Sequence, residues 1–511
     1  MAFLNATFAI IKCILLLVVS YHITLFTYRF FLHPLKNYPG PSLAKLTDLY
    51  GGVQSFKRRL HLKTWQDHRQ YGPVVRQGPN KLIFNSVAAA RDIYLSDGVS
   101  KAQCYQAGNV NPSMTNVFNT IDKHVHRVKR RHVSLILTDR SVGMFEPKVD
   151  DQVTIFLREI LSTCQNALRA PINMSKICKY LGLDIAGYLG FGYALNTQTD
   201  PTHRFLVNAM MIGSWRLNMY IQSPALRKLR LEVLFYALAV LSGKSFLQVL
   251  SKMIQSRLSK ETDAEHDLYA FMARTPKTSE ADGVTAKEIW NEGMFFLPAA
   301  GDTTSTVLSM FSSSSEIESP RLQNCQYLRA CIYEALRMSP PIPGTLWREQ
   351  LPSNAGKPFV VYGYAIPPGV QVGVNVYTIH HNPDYFPDPF TYNPDRWIPS
   401  KGEEATLHSE DQNTGLKHNP AFMPFSLGGR ACAGRSMAYA ELSLAIAKTM
   451  WYFDFEFPSE IAQRLPTVNE ATGIQTTEFN LLDVFTSSHN GPYLSFRLRG
   501  DYWKDLVGVH Q

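Results

Sequence analysis

Hydrophobic residues fall along this chain in three patterns: one unbroken apolar run near the amino terminus, long stretches with apolar positions three and four apart, and a few short alternating runs. The unbroken run, residues 8–31 (FAIIKCILLLVVSYHITLFTYRFF), would measure roughly 36 Å as a helix, enough to cross a hydrocarbon layer of about 30 Å. Helical spacing dominates from 60 to 340, for example over 149–168 and 233–258. Short β-like runs occur at 74–76, 81–84, 359–362, 370–374 and 486–497. The runs at 359–362 and 370–374 flank Pro367-Pro368-Gly369 and read as a hairpin. The pattern predicts a mainly α protein with a small β portion, behind an N-terminal transmembrane helix.

Lys12 and Arg29 sit near the ends of the apolar run, where long cationic side chains can snorkel. No small-residue cleavage site follows, which separates the run from a signal peptide. More positive charge follows it (Arg29, Lys36, Lys45) than precedes it, so a single pass with the bulk of the chain in the cytosol is expected. Pro34 and the Pro39-Gly40-Pro41 triplet make a stiff connector. The expected organisation is an anchor over 1–32, a proline-rich hinge over 33–59 and one body over 60–511.

The formal charge of +9 is dispersed, apart from a cluster at Arg127, Lys129, Arg130 and Arg131. This suits a basic docking face or an anionic bilayer, and no nucleic-acid partner is expected. Seven cysteines, an odd number with no CxxC pair, argue against a disulfide framework and a zinc finger and point to a reducing compartment.

The candidate chemistry is concentrated in four places. Residues 425–434 read FSLGGRACAG, with Cys432 on a glycine-rich loop just before an apolar helix whose N-terminal dipole favours negative charge. The bland alternative is a buried structural cysteine. Glu334 and Arg337 lie three apart on one helical face, with Pro394-Asp395-Arg396-Trp397 downstream. Thr285-Ala-Lys-Glu288 is a capping box, opening a helix that carries Pro298, Ala299, Ala300, Gly301, Asp302 and Thr303. That segment is otherwise a kinked core helix with a polar dipeptide. His126 and Arg130, four apart, share a face that could equally be a solvated basic surface.

Phe425, Gly428, Arg430, Cys432 and Gly434 match FxxGxRxCxG at every fixed position, and the chain resembles the cytochrome P450 family over nearly its whole length. The segments HPL, YGPVVRQGPN and SPPIPGTLWRE are similar to the fungal branch that tailors secondary metabolites. The resemblance implies the cytochrome P450 fold and haem b (iron protoporphyrin IX), with Cys432 as the metal ligand. It places Arg430, His126, Arg130 and Arg348 on the haem propionates, and Ala299 and Ala300 in a groove for dioxygen. Asp302 and Thr303 would supply protons. Glu334, Arg337 and Arg396 would form a buried cluster supporting the cysteine loop.

There are departures from the family pattern. His126 stands for the usual tryptophan, Ala300 for the usual glycine, and Pro298 removes a helical hydrogen bond. Only 31 positions separate Thr303 from Glu334, and Ser312 to Pro320 occupies an interval that normally holds further helices. About one helix is short.

The activity implied is that of a monooxygenase in the endoplasmic reticulum membrane, oxidising a bulky, apolar, terpenoid-like secondary metabolite with O2. Electrons would come from NADPH through a separate NADPH-cytochrome P450 reductase, because no flavin or nucleotide fingerprint is present. The resemblance places the substrate wall in segments 104–118, 205–221, 294–299, 342–347 and 486–490, including Met210, Met211, Trp215 and Phe296, while Arg216 leaves an aromatic acid open. Two alternatives stand beside this reading. One is a haem-binding variant without turnover, impaired by the short 304–333 connector. The other is a haem-thiolate isomerase or dehydratase, a class that tends to lose the acid–alcohol pair.

Overall fold

The apolar run becomes helix α1 (Ala2–Thr27), closed by a π-type turn over Tyr28–Leu32. In this computed structural model, which describes residues 2–107, 109, 115–165, 170–229, 246–260, 267–270, 286–311, 325–354, 356–399, 416–458, 467–468, 475–476 and 480–508, the segment Phe3–Leu32 is long and apolar enough to cross a membrane. None of it is buried against the body.

The body is built around helices α2 (Leu60–Tyr71), α3 (Lys123–Ile136), α4 (Asp139–Gln165), α5 (Met174–Phe191), α6 (Phe205–Gln222), α7 (Phe246–Leu258), α8 (Ala286–Phe311), α9 (Cys325–Met338) and α10 (Arg435–Tyr452). The periodic stretch 149–168 lies in α4 as far as Gln165, and 233–258 includes α7. Thr285 and the serine-rich connector 312–320 fall outside the described residues.

A five-stranded sheet stands beside the helices: β1 (Val74–Gly78), β2 (Lys81–Phe84), β3 (Val99–Lys101), β4 (Arg348–Gln350) and β5 (Gln371–Val374), in the order β1-β2-β5-β4-β3. The expected hairpin across Pro367-Pro368-Gly369 does not form. Val360–Val361 turns back at once onto Tyr364–Ala365, while β5 leaves to pair in parallel with β2. The reason is local: Tyr362 and Gly363 both take positive φ (51° and 78°), which closes a tighter turn than the proline pair can.

The connector is clasped from inside. Arg76 on β1 is fully buried, and its guanidinium donates to the carbonyls of Arg29 (3.1 Å), Leu35 (3.3 Å) and Pro79 (2.9 Å). Its own amide donates to Pro39 O at 2.7 Å. A Cβ at Gly40 would lie 2.5 Å from Arg76 O, so only glycine lets the Pro-Gly-Pro segment sit this close to β1.

Helix α5 runs buried along the back of α8. A Cβ at Gly182 would meet Gly301 O at 2.3 Å, so the missing side chain sets how closely the two helices approach. Two further strands, β6 (Leu482–Val484) and β7 (Thr486–Ser488), form a hairpin that touches α8 and α6. The fully buried Asp483 carboxylate accepts from the amides of His61 (3.2 Å) and Phe485 (3.2 Å) and from Asn218 Nδ2 (2.9 Å). One acid thereby ties α2, α6 and the hairpin together.

A second buried carboxylate organises the region behind the cysteine loop. Glu334 takes Arg337 Nε (2.9 Å) and Nη2 (2.8 Å), Arg396 Nε (3.0 Å), Trp397 Nε1 (2.9 Å) and the Asn393 amide (3.0 Å). Burial pushes the Glu334 carboxyl up, but Arg337, Arg396 and these donors hold it below the ordinary carboxylate value.

Breaking one side of this ion pair strands the other. Glu334→Gln or Arg337→Met is expected to cost about 3–5 kcal/mol, read by denaturant unfolding of the purified protein. Asp483 gives a pH signature. Burial raises it from 3.8 to about 6 against the opposing amides and Asn218. The folded state then holds the proton more tightly than the unfolded chain, so this contribution to stability falls as pH rises between those values, by at most about 1.4 kcal/mol per unit. Comparing Asp483→Asn with the parent across that window should isolate the slope.

Candidate active site

The cysteine loop is bent by two residues with positive φ, Ser426 (62°) and Gly428 (71°). At Gly428 a Cβ would also lie 2.2 Å from Tyr94 O, so both conformation and space require glycine. The amide of Cys432 donates to Phe425 O at 2.8 Å, which closes the loop, and α10 starts at Arg435 with Gly434 as its cap. The thiol sits deep in the protein, yet its surface is open because it faces a cavity. Burial pushes its pKa up, while the Gly434 backbone, Arg130 and Arg435 pull it down.

The cavity measures about 820 Å³. Lys101, His126, Arg130, Arg348 and Arg430 line it, along with Phe425, Cys432 and Gly434. Arg130, on α3, donates to Ala431 O, and Arg430 donates to Thr120 O (2.6 Å), Ile121 O (3.2 Å) and Ser100 Oγ (3.2 Å). Arg348 on β4 stands opposite Lys101 on β3. The cations crowd one another. Burial and then Arg348 lower Arg430 to about 10; burial, then Arg430, Lys101, Arg130 and Arg348, lower His126 to about 3. Lys101 is pushed well down by burial and then by Arg348 and Arg430.

Glu441 is the only carboxylate lining the cavity among the described residues. A cavity with this basic surplus and an open thiol fits haem: carboxylate tails for the basic groups, and an iron that takes sulfur.

The opposite wall is α8. Pro298, Ala299, Ala300, Thr303 and Thr304 line the cavity, and the Thr303 hydroxyl donates back to Ala299 O at 2.7 Å. Asp302 is not on that wall. It is 2% exposed, accepts a hydrogen bond from Thr486 Oγ1 (2.8 Å), and lies 3.8 Å from Lys179 Nζ. Phe118 stacks on Phe295 at 5.2 Å and meets Phe485 edge-on at 5.4 Å, giving the cavity an aromatic side.

Several positions differ from the sequence reading. Met210 and Phe296 line the cavity, but Met211 and Trp215 do not. Trp215 lies on the other face of α6, where its indole donates to Ser55 O at 3.0 Å beneath Arg58. Lys101, Glu441, Thr486 as a partner of Asp302, and Trp397 as a donor to Glu334 had not been singled out for these roles. No motif marks Lys101, because its place comes from pairing between strands far apart in the chain. Glu441 had a weak local signal, an acid inside the apolar helix after Cys432; burial lifts it to about 7 against a hydrogen bond from Thr304.

Fold and cavity together define a haem protein of mainly helical architecture. The family model described as Cytochrome P450 matches residues 41–312 and 310–481. The chain is 29% identical to cytochrome P450 monooxygenase apf7 of Gibberella fujikuroi, over 92% of this chain and 95% of that one. It is also 29% identical to cytochrome P450 monooxygenase poxM of Penicillium oxalicum, over 97% and 96%. The crystal structure of the cytochrome P450DA heme domain superposes with a TM-score of 0.65 at 17% identity, covering 88% of this chain and 96% of that one. The chain belongs to the cytochrome P450 family. It is an oxidoreductase of the monooxygenase class, with haem as its cofactor.

The cation wall generates a test. Lys101→Met and Arg348→Met should each speed haem transfer to apomyoglobin about tenfold, the scale of one charge-assisted hydrogen bond. A buried cation that merely packs would leave the rate unchanged.

Proposed function

We propose that the protein is a membrane-anchored haem-thiolate monooxygenase that oxidises a bulky, apolar, terpenoid-like secondary metabolite with O2 and electrons from NADPH. The observation that carries this reading is the Cys432 thiol, open to a cavity whose lining also includes Thr303. Cys432 is then the sulfur ligand to iron, and Phe425, Gly428 and Gly434 shape the loop that presents it. His126, Arg130, Arg348 and Arg430, joined by Lys101, hold the propionates.

Haem bound there supplies the reductive activation of dioxygen. Overall, R–H, O2, NADPH and one proton give R–OH, water and NADP+. The side chains orient and move protons. Ala299 and Ala300 keep the wall of α8 low enough for a diatomic molecule. Thr303 presents a hydroxyl to the cavity, and Asp302, its neighbour on α8, relays protons toward it. Glu334, Arg337 and Arg396 keep the loop's support rigid. The aromatic side of the cavity and its volume support a large apolar substrate.

Electrons come from NADPH-cytochrome P450 reductase, for which the exposed Arg127 and Arg131 on α3 offer a basic docking face. Helix α1 crosses the endoplasmic reticulum membrane once, with the body on the cytosolic side.

One observation favours a second reading. The two pieces of the family match meet at residues 310–312, which supports a shortened connector and a haem protein without turnover. Retention of Asp302 and Thr303 speaks against an isomerase or dehydratase.

Reconstituted with reductase, the protein should show a thiolate-type absorption in its reduced carbon-monoxide complex and oxidise at least one member of a terpenoid and aromatic panel. Cys432→Ser should lose that absorption. Asp302→Asn should lower turnover about 10²-fold with the pigment intact. A thiolate-type spectrum without NADPH-dependent product would select the non-turnover reading.

A further inference from the structure

We infer that Thr486 is a positioning residue for proton delivery: its hydroxyl, on the turn that walls the cavity, fixes the direction of the Asp302 carboxylate. The inference rests on the monooxygenase reading above. Asp302 does not itself reach the cavity, and among the described residues its carboxylate meets two polar groups, Thr486 Oγ1 at 2.8 Å and Lys179 Nζ at 3.8 Å. The shorter contact is the directional one, because hydrogen bonds weaken steeply with distance and angle whereas an ammonium attracts from any side. Of the two groups, only Thr486 lines the cavity.

The turn that carries it is fastened on every side. Thr306 Oγ1 donates to Ser487 O (2.9 Å), Ser487 Oγ donates to Pro340 O (2.6 Å), the Ser487 amide donates to Pro341 O (2.8 Å), and Lys179 Nζ donates to Ser488 Oγ (3.0 Å). Next to Thr486, Phe485 takes φ of 87° and presents its ring to Phe118. Thr486 thus belongs both to the cavity wall and to the surroundings of the acid.

Proton timing can be read without a substrate. With NADPH as reductant, O2, NADPH and one proton give hydrogen peroxide and NADP+; alternatively, O2, two NADPH and two protons give two waters and two NADP+. A late proton favours the first outcome. The test uses the full chain with reductase and NADPH, and reads the fraction of NADPH recovered as peroxide. Thr486→Val keeps the shape and loses the hydroxyl; it should raise that fraction about threefold. Thr486→Ser keeps the hydroxyl and loses a methyl; it should stay close to the parent. In an Asp302→Asn background, Thr486→Val should add little, because the two residues act as a unit.

A Val variant equal to the parent, a Ser variant as defective as Val, or full additivity with Asp302→Asn would overturn the inference. The carbon-monoxide spectrum reports whether each variant holds haem. If the parent accepts no electrons from the reductase, the proposal of reductase-coupled turnover falls, and infrared spectroscopy still decides the tether. The carboxylate band that Asp302→Asn removes should shift in Thr486→Val and not in Thr486→Ser. An unshifted band would sink it.

Discussion

Desolvation of charge is the constraint on which the rest of this structure depends. Glu334, Asp302 and Asp483 are withdrawn from water, and each is surrounded by donors contributed from other parts of the chain. A buried carboxylate tolerates few arrangements of its neighbours, since every unpaired oxygen is costly. These acids therefore act as fixed points. Glu334 fixes the segment 393–397 against α9, Asp483 fixes α2 and α6 against the β6–β7 hairpin, and Asp302 fixes that hairpin against α8. The cavity is the space left between these fixed points, and its own wall of crowded basic groups is the mirror image of the same rule.

Much of the site was legible because its chemistry is local. The loop around Cys432 needs a left-handed residue at 428 and a cap at 434, and both needs are met by neighbours in sequence. The Glu334–Arg337 pair is likewise one turn of one helix. What was not legible depends on long-range pairing. Lys101 faces Arg348 only because β3 and β4 join across much of the chain, and Thr486 meets Asp302 only because the hairpin folds onto α8. Trp215 shows the same limit on a helix: its composition suggested a cavity residue, but the face of α6 that Asn218 and the neighbouring segment select turns it toward Ser55. The hairpin misplaced across Pro367 was an error of turn chemistry, since a glycine following Tyr362 outcompeted the proline pair.

Helix α8 sets one departure from the family pattern, Pro298, close to a residue that keeps to it, Thr303. Pro298 deletes one amide donor while Thr303 donates its hydroxyl to the next carbonyl, that of Ala299, so the backbone beside the cavity is bonded partly through a side chain. Gly182 on α5 accepts the backbone of Gly301 from behind. The segment is therefore held from its back face and loosened on its front, which is where a small ligand needs clearance.

The Arg76 clasp has a practical consequence for handling the protein. The guanidinium is buried, and two of its three carbonyl acceptors, at Arg29 and Leu35, lie in or just after the last turn of the apolar segment. Trimming the chain to obtain a detergent-free body must therefore stop ahead of Arg29. A cut a dozen residues further on would leave a fixed positive charge in the interior with most of its acceptors gone, and the resulting insolubility would be blamed on lost lipid when its origin is a lost backbone.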